Sequence, residues 1–192
     1  MRVGELVVRE EPIDRLADHT RLSIAFEVVG RFDPASGEVD SVDEGWTKDY
    51  DADDRSGPSG WPERFDLTHW GLLAAHRGET RVGGAVVTRD TPNMWMLEGR
   101  TDLAYLLDLR VDPDHRSSGV GRALVDAVET WAIAHGCTEL KVETQDINVV
   151  ACRFYAAMGL TVARGDLDAY PDHPGELQLI WRKPLGTAAS RR

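Results

Sequence analysis

Only two cysteines occur in the 192 residues, Cys137 and Cys152, and no CxxC spacing joins them. That excludes a disulfide framework and reads both as reduced packing thiols. No apolar run approaches the roughly 18 residues of a membrane span. The N-terminus carries Glu5, Glu10 and Glu11 where a secretion signal would carry basic and apolar stretches. A cytoplasmic protein with no membrane contact is expected. Bases are scarce too: 22 Lys and Arg against 33 Asp and Glu give a net charge of -11. Such a surface repels nucleic acid and anionic lipid and attracts cationic molecules. The six histidines are scattered without ligand spacing, so no metal is expected.

What is present suits one globular domain: 42% apolar residues, no repeats and no evident linker. A single domain over residues 1–185 and a frayed tail at 186–192 are expected. The acid excess is concentrated in residues 33–66, where eleven acidic and three basic residues mix with Gly37, Gly45, Gly57, Pro58, Gly60 and Pro62. This predicts a long, partly ordered loop, either solubilising or lining the approach of a polycationic substrate.

Apolar spacing predicts a strand at 6–8, one or two helices within 13–29, a hairpin of strands 69–75 and 82–88, and a strand at 104–111 stopped by Asp112-Pro113-Asp114. A helix follows from Val120, whose apolar residues recur at three and four until Gly136 ends it. Then come a strand at 140–143, a helix at 149–158 and strands at 160–163 and 177–181. Met94, Trp95 and Met96 read either as an exposed apolar cluster suited to a homodimer contact or as part of a core hairpin.

Arg116-Ser117-Ser118-Gly119-Val120-Gly121-Arg122-Ala123 lies between the 104–111 strand and the helix after it. A helix N-terminus leaves about four amide donors unpaired and carries roughly half a positive charge, so a pyrophosphate suits it, with Arg116 and Arg122 as further cations. A Walker A loop would need Lys and Ser or Thr after Gly121, where Arg122 and Ala123 stand. A dinucleotide fingerprint would need a third glycine at Leu124. What fits is Arg-x-x-Gly-x-Gly after a strand and a Val-x-Pro turn, which resembles the acetyl-CoA pyrophosphate motif of the GNAT acetyltransferase superfamily.

The run from Glu143 through Thr144, Gln145, Asn148, Ala151, Cys152 and Phe154 to Tyr155, with Gly159-Leu160 behind it, is similar to the superfamily's second block. Its wording resembles the Glu-Thr-Gln-x-x-Asn-x-x-Ala-Cys-x-Phe-Tyr pattern of streptothricin acetyltransferases. The likeness covers about residues 103 to 182, with Arg182 standing where that pattern would have tyrosine. It implies an α/β (α+β) fold, a mixed, twisted central sheet with helices on both faces, splayed at strands 104–111 and 139–145 to admit cofactor. It also implies that the backbone of Leu109, Arg110 and Val111 pairs with the pantetheine arm, that Arg116, Ser117, Ser118, Gly119, Val120, Gly121 and Arg122 hold the pyrophosphate, and that Asn148 touches the cofactor. Tyr155 matches the tyrosine that protonates the departing thiolate.

An alkyl ammonium with a pKa near about 10.4 must lose a proton before it attacks a thioester, so a base is needed. Asp108, between Leu107 and Leu109, comes first because apolar neighbours would raise its pKa; it could equally satisfy backbone amides or pair with Arg110. Glu143 comes second. A backbone N–H freed at a bulge, that of Leu109, would receive the oxyanion. Cys152 lacks a neighbouring histidine and is a poor nucleophile. The expected reaction is direct acetyl transfer from acetyl-CoA to a small cationic amine, streptothricin included. Asp166, Asp168, Asp172 and Glu176 would help fence the site. Acetylation of protein amino groups, and acyl-CoA sensing without turnover, are the alternatives.

Overall fold

The computed structural model describes residues 4–52 and 57–186; the expected tail from 187 onward lies outside them. The fold is α/β, and its residues cluster into two compact units. The first takes in the chain up to Ile24, Tyr50–Leu140 and the residues from Pro184. The second takes in Ala25–Asp49 and Lys141–Lys183.

In the first unit, strands β1 (Leu6–Glu11), β4 (Trp70–Arg77), β5 (Thr80–Arg89) and β6 (Leu103–Val111) pair in that order, each antiparallel to its neighbour. The β4–β5 hairpin turns on Gly78 at a φ of 62°, the left-handed region glycine enters at little cost. The expected helices within 13–29 shrink to a 3-10 turn at Ile13–Arg15 and the single turn α1 (Leu16–His19), because Phe26–Phe32 alternates buried and exposed residues and forms strand β2 of the second unit. Helix α2 (Trp61–Arg64) is also one turn, and its Trp61 stacks on Trp70 of β4. Helix α3 (Val120–Ala134) is the long one and buries Val120, Leu124, Val125, Val128 and Trp131 on one stripe.

Two adjacent glycines of β5 let elements lie on both faces of this sheet. A Cβ on Gly83 would come within 2.7 Å of Val120 and 3.0 Å of Leu124, so α3 rests directly on bare backbone there. A Cβ on Gly84, pointing the other way as strand neighbours do, would collide with the ring of His19. Thus α3 and α1 occupy opposite faces. Trp131 takes the same advantage of Gly71 in β4 and donates through Nε1 to Glu10 at 2.9 Å.

In the second unit, β2 pairs with β3 (Val39–Lys48), a separate two-stranded hairpin. Of the stretch 33–66, expected as a partly ordered loop, the residues 39–48 form a strand, and among the described acids Asp40, Asp43 and Glu44 stand on its exposed positions while Asp33 accepts from Ala35 N and Ser36 Oγ and Asp66 accepts from Thr68. Acid-rich strands with one wet face lack the apolar alternation that announces a strand. Val28 faces Trp46 while Gly30 faces Ser41, so residues 42–45 bulge out of the hairpin opposite the lone Val29.

Strand β9 (Gln178–Pro184) lies between β7 (Glu139–Gln145) and the antiparallel β8 (Thr161–Asp166). Helix α4 (Val149–Ala157) starts at Asn148, whose Oδ1 accepts from Ala151 N at 3.1 Å. Of the triplet read either as an exposed cluster or as part of the core, Met94 and Met96 are buried and Trp95 is exposed. Among the described residues no helix is long and apolar enough to cross a membrane.

Replacing Gly83 with valine forces side-chain carbons into space α3 already fills. The variant is expected to lose about 1–3 kcal/mol of stability and, at this chain length, roughly 3–10 °C of Tm, read by calorimetry. An unchanged Tm would mean that α3 does not rest on this strand.

Candidate functional site

The motif segment folds as a turn whose purpose is to expose backbone. After β6, Asp112 accepts from Asp114 N at 3.0 Å and from His115 Nδ1 at 3.0 Å, closing a 3-10 turn over Pro113–His115. The His115 hydrogen bond also holds the Asp112 carboxyl below the usual range. Ser118 Oγ turns back onto His115 O at 2.6 Å, and Ser117 adopts a left-handed φ of 59°. Gly119 follows at a φ of 88° as the N-cap of α3, and no side chain caps that helix.

The first α3 amide to find an acceptor there is Ala123 N, on Gly119 O at 3.0 Å. The amides before it point out of the helix end, which carries the positive pole of the dipole. Nothing lies within 4 Å of the place where a Cβ on Gly119 would project. Arg116, Ser117, Ser118, Gly119 and Arg122 are exposed, Gly121 is half-buried and Val120 is buried beneath the turn. Donors, exposed cations and open space together fit a diphosphate.

Strand β6 carries Asp108 and Arg110 on its buried side and the half-buried Leu107, Leu109 and Val111 between them. The expected bulge is real but falls elsewhere. Val86 pairs with Asp108 and Val87 with Leu106, so Leu107 is the extra residue while Leu109 stays in register with Ala85. Leu109 therefore has no bulge of its own to free its amide.

Of the two readings of Asp108, a carboxylate raised by apolar neighbours or one paired with Arg110, the structure shows the pairing. Burial of Asp108 does disfavour the charged form, but hydrogen bonds and charge from His19 and Arg110 outweigh that and leave its carboxyl below the usual range. His19 Nε2 donates to Oδ1 at 2.9 Å, Arg110 Nε to Oδ1 at 2.9 Å, and Arg110 Nη2 to Oδ2 at 2.9 Å. Arg110 also grips Asp51 with Nη1 at 2.5 Å and Nη2 at 2.8 Å and reaches Leu22 O with Nη1 at 3.0 Å. A guanidinium has five N–H groups, and every one is used here.

Neither His19 nor Asp51 stood out as a site residue in the sequence. The one hint was the Gly83-Gly84 pair, since glycine inside a strand marks something close above it.

In the second unit, Glu143 of β7 accepts from Tyr170 Oη at 2.6 Å and from Gln178 Nε2 at 2.8 Å, both on Oε1. Neither donor was anticipated. Tyr155 of α4 is buried, its ring 5.3 Å from that of Phe154 and 6.5 Å from that of Trp181. Cys152 is fully buried, and burial pushes its thiol up to about 11, which leaves no thiolate to act as nucleophile. Asp146 gathers Arg31 Nη1 at 2.9 Å and Leu177 N at 2.9 Å.

Of the acids expected to fence the site, Glu176 is buried against Lys48 and Asp166 pairs with Arg164; Asp168 and Asp172 are exposed. Among the described residues no group of three or more His, Cys, Asp or Glu side chains could hold a metal ion. The loop at 90–100 encloses an open hollow of about 370 Å³ beside Trp95, and no motif residue lines it.

Streptothricin acetyltransferase A of Bacillus subtilis (strain 168) is 36% identical over 80 residues, which are 41% of this chain and 46% of that protein. Streptothricin acetyltransferase of Escherichia coli is 34% identical over 83 residues, 42% of this chain and 48% of that protein. The chain thus spans just under half the length of these relatives.

Among solved structures, a Bacillus anthracis str. Ames protein designated a streptothricin acetyltransferase, in complex with acetyl coenzyme A, superposes with a TM-score of 0.76 at 22% identity, covering 95% of this chain and 99% of that one. Nourseothricin acetyltransferase superposes at 0.70 with 23% identity, covering 94% and 99%. At such identities the likeness is one of fold. The family profile itself matches residues 39–160, and on that match the chain belongs to the acetyltransferase (GNAT) family.

Proposed function

We propose that this chain is an acetyl-CoA-dependent N-acetyltransferase that acetylates a primary amine of a small cationic molecule, streptothricin being the first to try. The observation that carries the reading is the uncapped start of α3, where Gly119 at a φ of 88° opens a donor-lined space beside Arg116 and Arg122. Arg116 to Arg122 would hold the diphosphate, the backbone of Leu109 to Val111 the pantetheine arm, and Asn148 a further part of the cofactor. The bound cosubstrate supplies an acetyl thioester. The names of the two streptothricin acetyltransferases and the net charge of -11 favour a cationic acceptor.

Within this reading the base is Glu143. Asp108 is already neutralised by Arg110 and His19, so an incoming ammonium gains little by giving it a proton. Glu143 accepts from the neutral Tyr170 and Gln178. It would take the ammonium proton, the freed nitrogen would attack the acetyl carbon, and Tyr155 would return a proton to the leaving thiolate. A thiol with a pKa near about 8.5 leaves readily, so Tyr155 needs only modest acidity.

Calorimetry with acetyl-CoA and a thiol-release assay over an amine panel test the whole. Micromolar uptake and thiol release with a polyamine or streptothricin are expected; well-folded protein that takes up no acetyl-CoA would end the reading. Gly119→Val puts a side chain into the donor-lined space and should weaken acetyl-CoA binding about tenfold or more; valine at a φ of 88° is also strained, so Tm should fall as well, and the affinity is measured below the melting transition.

The carboxylates separate by a different pair of measurements. Glu143→Gln should lower kcat by about a hundredfold or more while leaving acetyl-CoA affinity alone, and Tyr155→Phe should lower kcat on the order of tenfold. Asp108→Asn should instead cost about 3–5 kcal/mol of stability, because it strips a charge from the buried Arg110. Since folding lowers the Asp108 pKa, its contribution is present above about pH 4 and lost as pH falls through the folded value. The wild type should therefore lose stability in acid faster than Asp108→Asn does. The reverse pattern, with Asp108→Asn stable but inactive and Glu143→Gln active, would exchange the two roles.

A further inference from the structure

The antiparallel order of the first unit brings the end of β4 beside the end of β6, since Ala75 pairs with Gly83 and Gly83 with Val111. Ala75 shares with Gly83 the face on which α3 rests, and Arg77, two residues on, lies along that same face. Its guanidinium spans two backbone carbonyls: Nη1 donates to Gly4 O at 3.3 Å and Nη2 to Ser118 O at 3.4 Å. Gly4 sits so close to the β4–β5 turn that a Cβ on it would come within 2.9 Å of Gly78 N. That contact sets one end of the span. The Arg77 Nε is buried without an acceptor. Among the described residues the two carbonyls are its partners, and no carboxylate neutralises it.

The carbonyl of Ser118 belongs to the peptide on which the turn pivots. Gly119, at a φ of 88° and a ψ of -4°, has the angles of the third residue of a type II turn. A type I turn differs from it chiefly by rotation of the one peptide before that residue, and glycine accepts both values of φ at little cost. The peptide between Ser118 and Gly119 can therefore turn over. Ser118 Oγ on His115 O at 2.6 Å holds the side chain but not the peptide that follows it. In a trans peptide the C=O and N–H point opposite ways, so with Ser118 O held by Arg77 the Gly119 N–H faces away from the guanidinium. That N–H finds no backbone acceptor among the described residues. Turned over, the peptide would show an arriving anion an oxygen in place of a donor.

We infer that Arg77 is a positioning residue of the cofactor site: by holding Ser118 O it keeps the Gly119 N–H presented to the diphosphate of acetyl-CoA. This rests on the acetyl-CoA reading above. No covalent bond changes at Arg77. A cation on the carbonyl side of a peptide also polarises it and strengthens the N–H as a donor. If only a fraction of the molecules hold the competent orientation, the apparent affinity falls by that fraction. The loss of Arg77 should thus fall on cosubstrate affinity and not on the chemical step.

The test is Arg77→Met, which keeps an aliphatic stem, and it is read in two ways. In cofactor-free protein carrying isotope-labelled glycine, the Gly119 amide signal, assigned by its loss in Gly119→Ala, should shift or broaden while those of Gly83 and Gly84 stay in place. In calorimetry the Kd for acetyl-CoA should rise about five- to tenfold, and KM for acetyl-CoA with it, while kcat at saturating acetyl-CoA and KM for the amine stay within about twofold. The same rise is expected with 3′-dephospho-acetyl-CoA, which keeps the diphosphate.

An unmoved Gly119 signal, or an unchanged Kd, would overturn the inference and leave the acetyl-CoA reading standing. A loss confined to the 3′-phosphorylated cosubstrate would make Arg77 a ligand of that phosphate and would overturn positioning. A fall in kcat as large as the rise in Kd would mean a general defect of the fold and would also count against it. Well-folded wild type that takes up no acetyl-CoA would remove the reading beneath and the inference with it. Should Arg77→Met melt far below the wild type, Arg77→Gln, which lacks the charge but stays polar, enters both measurements with the same expectations.

Discussion

The close approach of α3 to the bare backbone of β5 at Gly83 is the constraint on which the first unit depends. Any side chain there would lift Val120 and Leu124 off the strand. With α3 seated, its first turn emerges where β6 ends, and the link between them is too short for anything except a tight turn. Gly119 then enters helix geometry from the left-handed region, so the chain arrives with its amides facing outward. The outward-facing amides of the turn are a by-product of packing: no side chain caps the helix at this entry.

The neighbouring residue does a different job on the other face. Gly84 leaves room for His19, and His19 completes a hydrogen-bonded network with the buried Asp108 and Arg110 and the half-buried Asp51. Burying one carboxylate costs several kcal/mol, and a lone Asp108 would respond by taking up a proton. Three hydrogen bonds and a full guanidinium reverse that balance. The same bonds tie Leu22 and the turn at Tyr50–Ala52 to β6, which makes this network a fastening for chain segments remote in sequence.

How far the sequence reveals this depends on how local each feature is. The 15 residues of α3, the turn before it and the β4–β5 hairpin are set by neighbours a few positions away, and their spacing shows. The hairpin of β2 and β3 is not legible, because Asp40, Asp43 and Glu44 sit on exposed positions of a strand that reads as a polar loop. Met94, Trp95 and Met96 stay ambiguous for the opposite reason: an apolar triplet says nothing about which members point inward. The ion pairs are hidden by distance along the chain. Arg110 meets Asp51 across 59 residues and His19 meets Asp108 across 89, and composition cannot tell a paired carboxylate from a free one.

That last distinction decides the chemistry assigned to the two carboxylates. A strand aspartate between leucines looks like a base with a raised pKa, provided that its other neighbours are apolar; a cation two residues along the same face removes the premise. Asp108 and Arg110 share that face, and a strand places residues i and i+2 side by side. Glu143 accepts from the neutral Tyr170 and Gln178, and Lys141 stands two residues before it on the same strand. A carboxylate already matched by a guanidinium has spent its attraction inside the protein, so Asp108 fastens the fold.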